Sequence, residues 1–330
     1  NGNVNGSITV FDKSKVGGFV GCISSNTSMI VTISNSTNNG NVTGWNYVGG
    51  FVGDISSNKN MSMTIQNSTN NGNVTGSNYV GGFVGCISSS TNMTMAISNS
   101  INNGNVNGSI TVFDKSKVGG FVGYIYSNTN MAMTISNSTN NGIFTRSDYV
   151  GGFVGYICSN TNITTAISNS TNNGITLNSS NVGGFIGCIC ENRNMTVTIS
   201  NSINSGMVTG GEHIGGFVGI VTVSSSKEMI TIENCLQGGE IMSSSQTKQI
   251  GGMIGCMRFD SGMVDNGDES QIQIVSSVVQ QKMSVDCQEC VVGGVIGGIS
   301  SEGSFQKIQV SLSFKLNQEM NINCGNCSVG

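Results

Sequence analysis

The residues able to do chemistry are few in this chain of 330 residues, and most of them are cysteines. Eleven are present, an odd number, so at least one has no sulfur partner within the chain. The single histidine, His213, stands in no HExxH, GxSxG or phosphate-loop pattern and is expected in a turn. Acids are isolated over the first 180 residues, where Asp12, Asp54, Asp114 and Asp148 stand far apart in sequence. Asp265-Asn266-Gly267-Asp268-Glu269 offers oxygens for Ca²⁺, but without EF-hand spacing it reads as a solvated loop. No catalytic residue, cofactor or metal site is therefore assigned, and the chain reads as a non-enzyme.

The elements that position these residues are repeats. The motif [VI]-G-G-[FMV]-[VI]-G begins at Val16, Val48, Val80, Val118, Val150, Val182, Ile214, Ile250 and Val292. Five of the eight steps are 32 residues long, and the others are 38, 36 and 42. Such a period signals stacked structural units. Residues 1–21 recur at 103–123, so a block of three units has itself been copied. Within a unit, Met93-Thr94-Met95-Ala96-Ile97 alternates apolar and small polar residues, the mark of a strand with one buried face. Asn-Asn-Gly follows at Asn38, Asn70 and Asn140 and reads as a turn using positive φ. A short third strand then comes, as in Asn41-Val42-Thr43. No segment carries a helical i, i+3, i+4 apolar stripe. The expected fold is all-β: a parallel β-solenoid of about three short strands per coil and roughly ten coils, rather than a propeller, whose blades need ~40–45 residues. Residues 1–219 form the regular section. Residues 220–330 form a divergent continuation, richer in cysteine and in acids.

Composition narrows the classes. Only 9% of residues are charged, 48 are glycine and none is proline, which excludes a collagen-like chain. Hydrophobic residues at 37% argue against a disordered linker. No apolar run reaches the ~18 residues of a membrane span. A net charge of −4 gives no basic footprint for nucleic acid. The chain opens at Asn1 with no visible targeting signal and closes on the start of another motif copy, as expected of a stretch of something longer.

Stacking turns sequence positions into columns about 4.8 Å apart. Cys158 and Cys190 fall in adjacent coils at one position and are expected within disulfide reach. Cys22 and Cys86, like Cys188 and Cys256, are two coils apart and beyond it. Cys287-x-x-Cys290 and Cys324-x-x-Cys327 stack at a spacing of 37, which permits two disulfides or a Cys₄ zinc site. Disulfides are preferred in an oxidising compartment. Sequon asparagines Asn26, Asn60, Asn92, Asn162 and Asn194 form one expected column of N-glycosylation candidates. Asn35, Asn67, Asn99, Asn137, Asn169 and Asn201 form another, read as an internal ladder of amides. The VGGFVG strand is apolar on both faces. One face must point outward, and a column of Phe19, Phe51, Phe83, Phe121, Phe153, Phe185 and Phe217 there would favour lateral association with a like fibre. Which face is interior the residues leave open.

Gly81-Gly82-Phe83-Val84-Gly85 followed by Ile97-Ser98-Asn99-Ser100 resembles the GLUG-motif repeat proteins. The likeness covers nearly the whole chain but weakens after about residue 220, where the core reads Gly251-Gly252-Met253-Ile254-Gly255 and Gly293-Gly294-Val295-Ile296-Gly297. It implies a β-helical, extracellular or cell-surface protein of adhesin-like character. The expected function is thus structural or adhesive, with self-association and glycans or cell-surface ligands as partners. A carbohydrate-active β-helix enzyme and an ice-binding solenoid presenting threonine columns are the alternatives.

Overall fold

The computed structural model describes residues 2–329 apart from 10–13, 109–114, 146, 178, 225–226, 244–248, 260–269, 281, 302–307 and 317–318. Asp12, Asp114 and the acidic loop from Asp265 to Glu269 lie outside the described residues. The chain is a parallel β-solenoid, and no helix occurs among the described residues. Successive coils pair in register, so Ile33, Ile65, Ile97, Ile135, Ile167 and Ile199 occupy one column. The 38-residue step between Ile97 and Ile135 causes no slip.

One coil runs through strands Tyr47–Gly49, Val52–Ser56, Ser62–Gln66, Thr69–Asn70 and Val74–Thr75. The single strand expected across VGGFVG is thus two, separated by a bend at Gly50-Phe51. The bend brings backbone against backbone. A Cβ on Gly49 would overlap the carbonyl oxygen of Val52, and one on Gly50 the carbonyl oxygen of Gly82. Alternation in Ser62–Gln66 is as expected, with Met63 and Ile65 buried and Thr64 outward.

The bend also settles the phenylalanines, and the expectation of an outer strip is corrected. Phe51, Phe83, Phe121, Phe153, Phe185 and Phe217 are all fully buried, and Phe19 packs half-buried on the same core. Their rings stack with centroids 4.7 to 4.9 Å apart. Because the chain turns inside the motif, its two apolar faces enter two cores. Val48 joins the smaller core with Val42 and Val74, while Phe51, Val52 and Ile55 join the larger one with Met61, Met63 and Ile65. No apolar face of the motif is left for the outside.

The amide ladder is also displaced. Asn35, Asn67, Asn99, Asn137, Asn169 and Asn201 are exposed, and each holds a φ between 47° and 49°. They make the positive-φ turn expected of Asn-Asn-Gly. The buried ladder lies three residues on. Asn38 donates Nδ2 to Asn70 Oδ1 at 2.8 Å, Asn70 to Asn102 at 2.8 Å and Asn102 to Asn140 at 2.9 Å. It continues through Asn172 and Asn204 to Gln237. This column fits against the glycines of the bend, since a Cβ on Gly82 would stand 2.6 Å from Asn102 Oδ1. The glycine of Asn-Asn-Gly serves close approach instead of positive φ: a Cβ on Gly72 would overlap the Gly40 carbonyl oxygen.

Beyond residue 220 the same columns continue, with Ile230, Ile232, Ile272 and Ile274 in the larger core. The register shifts between Ile274 and Ser277, where the spacing of the repeats also loosens.

Candidate functional site

The bend that closes two cores inside leaves a concave strip outside. Residues just before it point outward as one column, Lys15, Tyr47, Tyr79, Lys117 and Tyr149, followed by Asn181 and His213. Residues just after it form the facing column, Cys22, Asp54, Cys86, Tyr124, Tyr156 and Cys188, followed by Ile220 and Cys256. These side chains pack on one another across the bend.

Tyrosines dominate the middle of the strip. Tyr79 stacks on Tyr124 at 4.7 Å, Tyr124 contacts Tyr126 at 5.2 Å and Tyr156 at 5.4 Å, and Tyr149 meets Tyr156 at 4.5 Å. The Lys117 ammonium lies over three of these rings, 5.1 Å from Tyr79, 5.5 Å from Tyr124 and 5.9 Å from Tyr156. A cation over ring faces is attracted by their quadrupoles. Burial pushes the Tyr124, Tyr149 and Tyr156 phenols well above their ordinary range, so they stay neutral hydrogen-bonding groups.

At one end of the strip Lys15 Nζ lies 2.7 Å from Asp54 Oδ2, and that carboxylate is only 1% exposed. Burial opposes the Lys15 charge, but the Asp54 hydrogen bond and charge outweigh it and raise the lysine's pKa. The Ser56 hydroxyl also donates to Asp54. At the other end the strip deepens into a cavity of about 330 Å³ lined by Tyr149, Tyr156, Cys188, Cys190, Glu191 and His213, among others. His213 is a correction. It sits in the strand Val208–Gly215 rather than a turn, is buried, and holds its Nδ1 2.6 Å from Asn181 Oδ1.

Cys158 and Cys190 pair in register as expected, and their sulfurs are 3.0 Å apart with both thiols free. Asp54 separates Cys22 from Cys86, and Ile220 separates Cys188 from Cys256, so those pairs stay apart. Cys287 stacks on Cys324 and Cys290 on Cys327 along the backbone. Cys290 is not a free thiol. The side chains of Cys287, Cys324 and Cys327 lie outside the described residues.

Both sequon columns are exposed, and neither is the buried amide ladder. Asn60, Asn92, Asn162 and Asn194 are exposed but bonded to one another through Asn130, with Asn92 donating to Asn60 at 3.0 Å and Asn194 to Asn162 at 2.7 Å. A glycan on Nδ2 replaces one of its two hydrogens and would share that nitrogen with the ladder. Asn26 is not in this column, because Thr27 pairs with Lys59, which places Asn26 beside buried Asn58. Asn35, Asn67, Asn137 and Asn169, read from sequence as the internal ladder, are the exposed sequons at turns. The outward threonine columns exist but are interrupted, as where Thr94 pairs with Ala132.

The tyrosine strip itself escaped the sequence reading. Its signal was present: a tyrosine before the motif valine at Tyr47, Tyr79 and Tyr149, and another one residue past the motif at Tyr124 and Tyr156. No protein-family model, curated protein or solved structure matches this chain.

Proposed function

We propose that the chain belongs to a non-enzymatic extracellular repeat protein of GLUG type, structural or adhesive, that forms a rod on a cell surface. The observation that supports this reading is the outer strip, in which tyrosines and lysines of successive coils stack from Lys15 to Tyr156. A cleft of that kind suits a linear ligand such as a glycan chain, with ring edges for apolar contact and phenols for hydroxyls. Exposed sequons in two columns, Asn60, Asn92, Asn162 and Asn194 and then Asn35, Asn67, Asn137 and Asn169, fit passage through a secretory route. The burial of the phenylalanines removes the strip on which lateral association was argued. Partners are therefore sought on the tyrosine face. Negative-stain imaging of the full-length protein, with antibody labelling of intact source cells, tests this. Elongated rods at the cell surface are expected; compact particles confined to the cell interior contradict it.

A further inference from the structure

We propose that Cys158, Cys188 and Cys190, with the carboxylate of Glu191, form a binding site for one thiophilic metal ion of the zinc class in the wall of the outer cleft. Two geometric facts assemble it. Cys158 and Cys190 are register partners in adjacent coils, and Cys188 lies two residues from Cys190 on the same strand face. Ligand atoms of Cys158, Cys190 and Glu191 lie within 4.8 Å of one another, and Cys188 lines the same cavity as Cys190 and Glu191. Two sulfurs and one carboxylate oxygen supply three of the four ligands that Zn²⁺ demands, and rotation of the Cys188 side chain would bring the fourth.

Glu191 also stands out in its column. Its column otherwise holds small residues in the left-handed turn, with φ of 56° at Ser57, 52° at Ser89 and Ser127, and 54° at Ser159. Glu191 adopts φ 51° there, a conformation unfavourable for a long side chain. Its Oε2 reaches back one coil, 3.1 Å from Ser159 Oγ and 3.6 Å from Cys158 Sγ.

A disulfide between Cys158 and Cys190 is the competing arrangement. It would need the 3.0 Å separation to close to about 2.05 Å. A tetrahedral zinc site with Zn–S near 2.3 Å would open it to about 3.8 Å. Both lie within side-chain rotation. The disulfide, however, uses two sulfurs and gives no role to Cys188 or to Glu191. The metal uses all four groups. Binding would release the thiol protons to solvent, and Lys115 and Arg258, which line the same cavity, would offset the remaining negative charge.

The test uses the full chain, purified without reductant and titrated with zinc or cadmium chloride. One ion per chain is expected at this site. Cadmium should produce a thiolate charge-transfer band and should protect Cys158, Cys188 and Cys190 from alkylation, as mapped by mass spectrometry. Glu191→Ser, which restores the residue of its column, and Cys188→Ser should each weaken binding at least ~10-fold with the thermal melt unchanged. Mapping by peptide separates this site from the stacked CxxC pairs. The proposal is overturned if the three thiols alkylate as fast with metal as without, or if both variants bind like the parent. It is equally overturned if Cys158 and Cys190 are found joined as a disulfide.

Discussion

Asn102 and Asn103 are neighbours of one chemistry with different burdens. Both bond the two adjacent coils, but Asn102 does so fully buried, whereas exposed Asn103 donates to Asn71 at 2.9 Å and accepts from Asn141 at 2.8 Å beside water. Asn102→Ala leaves buried amide groups on Asn70 and Asn140 short of a partner, which costs about 1–3 kcal/mol. Asn103→Ala should stay within about 0.5 kcal/mol, and urea unfolding of the two variants compares them. The thiols give a second prediction at this scale. Burial pushes Cys235 from 9.0 up to about 12 and Cys256 up to about 11. The folded chain therefore holds these protons more tightly than the unfolded one, so their effect is absent below pH 9.0 and stability falls as pH climbs from there toward 12. Cys235→Ser, which restores the serine of its column, should flatten that alkaline decline in melting temperature. The sequence showed that an asparagine ladder would form, because asparagine recurs at the coil period. It did not show the phase, because Asn35, Asn38 and Asn39 share that period and differ only in which way a turn points them.

Among elements, the bend inside VGGFVG governs the rest. It needs glycine for space, since a Cβ on Gly82 would overlap the Gly120 carbonyl oxygen, and no flexible side chain could yield there. Gly82→Ala should therefore destabilise by about 1–3 kcal/mol or more in denaturant unfolding. Gly6→Ala, where a Cβ would meet nothing within 4 Å, should be close to neutral. The alternating strand Ser62–Gln66 was readable because period two assigns each side chain a face. The VGGFVG segment was not, because period two fails where the chain bends in mid-motif, and the same bend creates the outer cleft. Phe51 and Val48 were thus placed on opposite sides of one sheet, when they belong to two separate cores.

At the scale of the molecule, one rule relates the parts: like positions stack, so buried phenylalanines, buried amides and outer tyrosines each form a line along the axis. The nine strands of the sheet that follows the bend correspond to the nine motif copies read from sequence. The outer line was less legible, since it depends on which residues the bend turns outward. The most direct measurement is a pair of engineered cross-links on the exposed face. Thr94 and Ala132 are register partners, while Thr164 lies one coil further on. Thr94→Cys with Ala132→Cys places the sulfurs on Cα atoms about 4.8 Å apart, within disulfide range. Thr94→Cys with Thr164→Cys places them about 10 Å apart, beyond it. Peptide mapping after mild oxidation should find the first bridge and not the second; the reverse result, or neither bridge, would contradict the stacked register.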